Sequence, residues 1–387
     1  MMTDHLNSFA VPTRIVCGPG ARHQVAGELA ALGAHHVLIV ADAALAQVGV
    51  LDDVVRALQS AGVSFLLFTE IVAEPGTRVV QRALALVQEK RCDALVALGG
   101  GSAIDAAKAT ALLATNGGSL SDYDGVEKSC LPPLPVVALP TTAGSGAEVT
   151  TGAVITDEAR QTKMAVRCGG YRPRVAILDP ELLASLPAAV AAAGGLDALA
   201  HAIEAYVSTL ANPFSDVLAR GAIELIGAHL RLFVARRDDG EAALGMLTAS
   251  TMAGMAFSNS ALGNAHALAR HLGPRLGLGH GQAVAEVLAA VIEFNAPAAV
   301  EKFSWVAEAL GEDVRGFPPD LAAGKAALAV KWLCRDVGLG QGLGELGLRR
   351  EDVAEIARLA AAEGGANRGN PRPTSYADFV SLLERAM

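Results

Sequence analysis

Short β-type apolar runs fill the first half of this 387-residue chain and vanish after Pro187, and that asymmetry constrains its fold more than any other feature. Runs at 37–40, 64–68, 94–98 and 136–139 are short, continuous and rich in Val, Leu, Ile and Phe, as strands buried on both faces must be. The segments 43–61 and 77–90 between the first three have the apolar spacing of amphipathic helices. Strand, helix and strand in alternation predict a parallel sheet with right-handed crossovers. A last run at 176–179 is stopped by Pro180. From Pro187 to Met387 the periodicity is helical, broken at Asn212-Pro213, between Gly277 and Gly281, and at Pro318-Pro319. We therefore expect an α/β domain with a Rossmann-like parallel sheet over 1–182 and an all-helical domain over 183–387.

Composition narrows the function classes. Apolar residues make up 52% of the chain and charged residues 18%, which is a globular and not a disordered balance. A net charge of -9 with no basic stripe or aromatic platform excludes nucleic acid as a partner. Residues 242–269 lack Asp, Glu, Lys and Arg and are long enough to span a bilayer. They also hold Thr248, Ser250, Thr251, Ser258, Asn259, Ser260, Asn264 and His266, each of which would need a partner in hydrocarbon. A pair of buried helices is the expected outcome, with no membrane. The first twenty residues carry Asp4 and His5 and no apolar signal core. Five scattered cysteines (Cys17, Cys92, Cys130, Cys168, Cys334) suggest neither a disulfide framework nor a Cys-rich zinc site, and a cytoplasmic location is expected.

Three segments of the first half carry candidate chemistry. The strand at 94–98 runs into Gly99-Gly100-Gly101-Ser102 and then a helix through Asp105 and Lys108. Consecutive glycines let backbone approach a phosphate, and a helix start offers N–H groups and a positive dipole end; a plain tight turn would look the same. Asp42, at the end of an early strand, can bind ribose hydroxyls and repel a 2′-phosphate, or simply cap a helix. The hydroxyl-rich loop with Thr141, Thr142 and Thr150 can contact a ligand or satisfy its own backbone.

In the second half, Asp197 and His201 stand i, i+4 on one helix face. His266 and His280 bracket a helix end and a turn holding Gly277, Gly279 and Gly281. Three imidazoles and a carboxylate would hold Zn2+ or Fe2+ with a position open to a substrate oxygen. An ordinary Asp–His hydrogen bond would equally account for the first pair.

Taken together, these stretches resemble the iron-containing (group III) alcohol dehydrogenase family. The motifs are GPGA (18–21), GGGSAIDAAK (99–108), ALPTTAGSGAEVT (138–150), VITDE (154–158), AILDPEL (176–182), GLDALAHAIEAYVS (195–208), AGMAFSNSALGNAH (253–266), GHG (279–281) and NPRP (370–373). They recur in order over nearly the whole chain. The resemblance implies a dehydroquinate synthase-like fold, a homodimer, and hydride transfer between NAD(H) and a small alcohol, aldehyde or ketone, with a divalent metal polarising the oxygen. By the family pattern Gly99, Gly100, Gly101, Ser102 and Asp105 line the cofactor phosphates and ribose. Thr141, Thr142, Thr150 and Lys163 flank it, Leu182 lies near the adenine, and Asp42 recognises the adenosine ribose. Asp197, His201, His266 and His280 match the metal ligands, and Phe257 lies by the substrate. Arg270 stands where the family often has a further His, Arg368 precedes the last motif, and Thr151-Gly152-Ala153 is a slim version of a substrate-side loop. A cation at Arg270 points to the alternative of an acidic carbonyl substrate, as in maleylacetate reductases; a polyol dehydrogenase is another.

Overall fold

In a computed structural model of the chain, which describes residues 8–129, 131–160, 162–362 and 368–387, the apolar runs become parallel strands. Asp4, His5 and Cys130 lie outside the described residues. Six strands build the main sheet: β1 (Arg14–Cys17), β2 (His36–Asp42), β3 (Ser64–Ile71), β4 (Ala94–Gly99), and, beyond a two-residue strand β5 (Gly125–Val126), β6 (Val136–Pro140) and a last one at Val175–Leu178. Two further strands, β7 (Gly152–Asp157) and β8 (Thr162–Arg167), precede that last one, β9. The order across the main sheet is β1-β9-β6-β4-β2-β3, every neighbour parallel.

The central strands are apolar throughout because both faces are covered. Helices α1 (Val25–Ala31), α2 (Val50–Ser60), α3 (Thr77–Lys90) and α4 (Gly101–Asn116) supply the cover. Leu38, Val40, Leu95 and Ala97 meet Ala83 and Val87 of α3 and Ala106 and Ala107 of α4. The alternate residues Val37, Ile39, Val96 and Leu98 are buried on the other face. The residues of Val11–Leu186 form one compact unit.

Three parts of this unit differ from the sequence-based expectation, the first being β1, which lies outside the expected strands. The helix expected over 43–61 begins only at Val50, because Gly49 takes a left-handed conformation (φ 75°) and residues 43–49 form turns. A second sheet, β5-β8-β7, has no counterpart among the expected strands. Its β7 and β8 pair antiparallel and alternate buried with exposed residues, so neither is a continuous apolar run. Ala153 and Ile155 pack under α4, so Gly152 and Ala153 open a strand where a substrate-side loop is expected.

The second unit comprises Pro187–Met387 with the described residues of Met1–Ala10. Its helices are α5 (Ala188–Val207), α6 (Pro213–Ala235), α7 (Gly240–Ser258), α8 (Asn264–Leu276), α9 (His280–Asn295), α10 (Val300–Ala309), α11 (Pro319–Asp336), α12 (Arg350–Ala362) and α13 (Tyr376–Ala386). The breaks fall where the sequence puts them. Asn212 caps α6 by accepting from the N–H groups of Phe214 and Ser215, Gly277 (φ 67°) ends α8, and Pro319 opens α11. The uncharged run becomes α7 and α8, and among the described residues no helix is long and apolar enough to cross a membrane. The chain start joins this unit too: Phe9 stacks on Phe214 with ring centroids 5.4 Å apart, and Ala10 N–H donates to Asn259 Oδ1.

Candidate metal centre and cofactor loop

At the carboxyl end of the main sheet, β4 passes through Gly99 and Gly100 into α4, beside the ends of β2 and β6. The glycines are required by close approach. A Cβ on Gly99 would stand 2.5 Å from Asp42 Oδ2, and one on Gly101 2.8 Å from Ser145 Oγ. Thr142 closes over Gly100, where a Cβ would stand 3.3 Å from its side chain. Asp42 accepts the Gly100 N–H at 3.2 Å. Burial pushes its carboxyl above the usual range, opposed by that hydrogen bond. Asp42, the three glycines, Ser102, Thr141 and Thr142 thus gather at the edge where open α/β sheets bind ligands.

Other expected cofactor residues are engaged elsewhere. Asp105 accepts the Val154 N–H at 2.8 Å, which fastens α4 to β7. Thr150 Oγ1 lies 3.0 Å from the Lys108 ammonium, which also donates to the Gly152 carbonyl at 2.7 Å. Lys163 pairs with Glu74 at 2.5 Å, and Leu182 is buried in the turn that follows β9. In the sequence Lys108 is marked only by its i, i+3 spacing from Asp105 on an Ala-rich helix.

The helical unit brings together the four expected ligands. Asp197 and His201 project from the middle of α5, His266 from the first turn of α8 and His280 from the first residue of α9. Around the Asp197 carboxylate, His201 Nδ1 stands 3.9 Å from Oδ2, and His266 Nε2 and His280 Nε2 stand 3.5 and 3.7 Å from Oδ1. The helices can come this close because residue 281 is glycine: a Cβ there would stand 2.4 Å from the Ala193 carbonyl oxygen. Phe257 stacks on His201, with centroids 4.5 Å apart.

Electrostatics separates the three imidazoles. Asp197, His201 and His266 are buried; the His280 side chain is 39% exposed. Burial pulls His201 down to about 4 against the attraction of Asp197. Burial acts the same way on His266, but the carboxylates of Glu204 and Asp197 carry it up to about 9. Although burial favours a neutral Asp197, the imidazoles hold its carboxyl well below the usual range.

The donor set fits a divalent metal. Asp197 Oδ1 and His266 Nε2 are buried and have no hydrogen-bond partner, a costly arrangement unless something else binds them. Ligand atoms of Asp197, His201 and His266 all lie within 4.8 Å of one another, and His280 Nε2 stands 3.7 Å from Asp197 Oδ1 at the more exposed edge of the cluster. Three nitrogens and one carboxylate oxygen suit Zn2+ or Fe2+.

Glu204 is the residue that sequence reading left outside the site. It lies seven residues past Asp197 and three past His201, on the same face of α5, and its carboxylate reaches 2.6 Å from His266 Nδ1. Arg270 is half-buried on α8, four residues past His266. Arg368 is exposed, and its carbonyl oxygen accepts from Thr209. The NPRP motif serves the scaffold: Asn370 Oδ1 accepts from Asn295 Nδ2 and from the Asn264 N–H, bracing the start of α8.

Comparison with known proteins bears on both units. Residues 12–180 match the family model described as iron-containing alcohol dehydrogenase, and residues 191–387 match the C-terminal model of the Fe-containing alcohol dehydrogenase family. An NAD-dependent methanol dehydrogenase of Bacillus methanolicus is 39% identical over 382 residues, covering 99% of this chain and all of that one. A crystal structure of 1,3-propanediol oxidoreductase superposes with a TM-score of 0.96 at 36% identity, over 99% of this chain and 100% of that one. The NAD+ complex of a sulfoacetaldehyde reductase from Bifidobacterium kashiwanohense gives 0.90 at 29% identity, over 99% of each chain. With motifs, fold and both family models in agreement along its length, the chain belongs to the iron-containing alcohol dehydrogenase family.

Proposed function

We propose that the protein is a metal-dependent oxidoreductase that transfers hydride between NAD(H) and a small neutral alcohol or its aldehyde. The convergence of Asp197, His201, His266 and His280 around two buried, unpartnered donor atoms carries the reading. A divalent metal held there supplies Lewis-acid polarisation of the alcohol or carbonyl oxygen, and NAD is the hydride carrier. Asp197 contributes the negative charge and the imidazoles the neutral donors. Phe257 walls the site by its stack on His201. Gly99, Gly100, Gly101 and Ser102 at the start of α4 receive the cofactor phosphates, and Asp42 receives its adenosine ribose. Absorbance at 340 nm with a panel of alcohols and aldehydes, with and without Zn2+ or Fe2+, tests this directly; no turnover under any metal condition would refute it.

Cofactor choice follows from Asp42. Its carboxylate, turned to the glycine loop, repels a 2′-phosphate. NAD is therefore expected to be preferred over NADP by at least roughly tenfold in kcat/KM, or about 1.4 kcal/mol, and Asp42→Gly to narrow the gap. A wild type that prefers NADP would show that Asp42 does not face the ribose.

A neutral substrate is favoured over an acidic one by the similarity to a methanol and a propanediol enzyme. Under this reading Arg270 serves the scaffold. Arg270→Ala then lowers kcat/KM for neutral and acid-bearing short aldehydes alike, their ratio staying within about threefold, or ~0.7 kcal/mol. A loss confined to the acid-bearing aldehyde would move the substrate to the acidic carbonyl class, in which the sulfoacetaldehyde reductase falls.

A further inference from the structure

Glu204 is 4% exposed and its carboxylate is fully engaged. Oε1 accepts the Ala265 N–H at 2.7 Å; Oε2 accepts the Gly263 N–H at 2.9 Å and lies 2.6 Å from His266 Nδ1. Gly263 is the N-cap of α8 and has no side chain to offer, so a carboxylate from α5 caps the helix in its place. A Cβ at 263 would crowd the capping carboxylate, standing 3.0 Å from Glu204 Oε1 and 2.9 Å from Asn370 Oδ1.

From this geometry we infer that Glu204 is a positioning residue that fixes the Nδ1–H tautomer of His266 and thereby sets how tightly the cluster holds its metal. The inference rests on the metal reading above. Each Glu204 oxygen already accepts a backbone N–H, so the carboxylate acts as an acceptor and the proton between it and His266 belongs to Nδ1. That leaves Nε2, which faces Asp197 Oδ1 at 3.5 Å, as the ring nitrogen open to a metal. One backbone N–H on each oxygen, Ala265 on Oε1 and Gly263 on Oε2, holds the carboxylate so that it cannot turn away from the ring. One side chain thus ties the register of α8 to the direction of a ligand lone pair. A carboxylate in this position also raises the basicity of the imidazole it orients.

Glu204→Gln isolates the role, because the amide has the same shape but only one accepting atom. With its oxygen in the Oε1 place, on the Ala265 N–H, its NH2 faces Nδ1, which must then accept, and the Gly263 N–H loses its partner. The ring proton moves to Nε2 and blocks the metal. The experiment strips the full-length protein of metal and titrates Zn2+ against a chromophoric chelator, alongside melting of the metal-free forms. Glu204→Gln is expected to weaken Zn2+ binding roughly 10–100-fold, well beyond the small fall in metal-free melting that one lost α8 N–H bond brings. Unchanged Zn2+ affinity, or a loss no larger than that in metal-free stability, would overturn the inference. Should the variant not fold, 15N-histidine spectra of the zinc-loaded wild type decide the matter. His266 must be metallated at Nε2 with its proton on Nδ1, and metallation at Nδ1 would overturn the assignment. A wild type that takes up no Zn2+ would instead remove the metal reading beneath it.

Discussion

His280→Ala is expected to yield a folded protein that turns over at least about a thousandfold more slowly and retains little metal. His280 is the first residue of α9, and its side chain is 39% exposed, so truncation there opens no core cavity. What it removes is one of three nitrogen donors. Lewis-acid polarisation contributes several kcal/mol to such reactions, and about 4 kcal/mol corresponds to three powers of ten. His266→Ala should lose activity to the same degree but also melt lower. That ring is buried and hydrogen-bonded to Glu204, whose carboxylate would keep the two backbone N–H groups and lose its third partner. Turnover, metal content by atomic emission and melting by circular dichroism separate the two cases. Full activity in a chelator-treated His280→Ala protein would exclude the metal centre.

The contrast between these two histidines shows what a sequence carries and what it does not. Asp197 and His201 are legible because a helix converts a spacing of four into a shared face. His266 and His280 are legible as a pair around a glycine turn, but nothing in the spacing tells which one is buried. Glu204 was equally in phase with Asp197, yet a carboxylate on a helix is ordinarily a solvated one. Its meaning depends on the start of α8, sixty residues away. The same holds for the fold. β2, β4 and β6 are legible because strands covered on both faces must be apolar throughout. The edge strand β1 is four half-exposed residues, and β7 and β8 are short and alternating, so none carries that signature. The start of α2 is not legible because Gly49 breaks the helix while the apolar periodicity continues through it.

Lys108 is the other residue whose importance only three-dimensional contact reveals, and Lys108→Met is expected to lower stability by about 3 kcal/mol. The lysine side chain has no exposed surface. Its ammonium donates to Thr150 Oγ1 and to the Gly152 carbonyl, and lies 3.7 Å from Asp105 Oδ1. Methionine keeps nearly the same length and volume, so packing is preserved and the charge and its hydrogen bonds are what is lost. A carbonyl left unsatisfied costs about 1–3 kcal/mol when buried, and the Gly152 carbonyl is part-buried; the Asp105 carboxylate, 16% exposed, loses its cation but keeps the Val154 N–H. Against that, burial already pushes the Lys108 pKa down and the Asp105 carboxyl up, so part of the attraction between them merely offsets desolvation. The expected loss therefore sits at the low end for a broken buried pair. Urea unfolding of the single variants and of Lys108→Met with Asp105→Asn measures the coupling. With the carboxylate neutralised, the second substitution should recover about 1 kcal/mol or more of the loss. Additive effects, or a loss below about 1 kcal/mol for Lys108→Met, would mean that the ammonium contributes little beyond the space it fills.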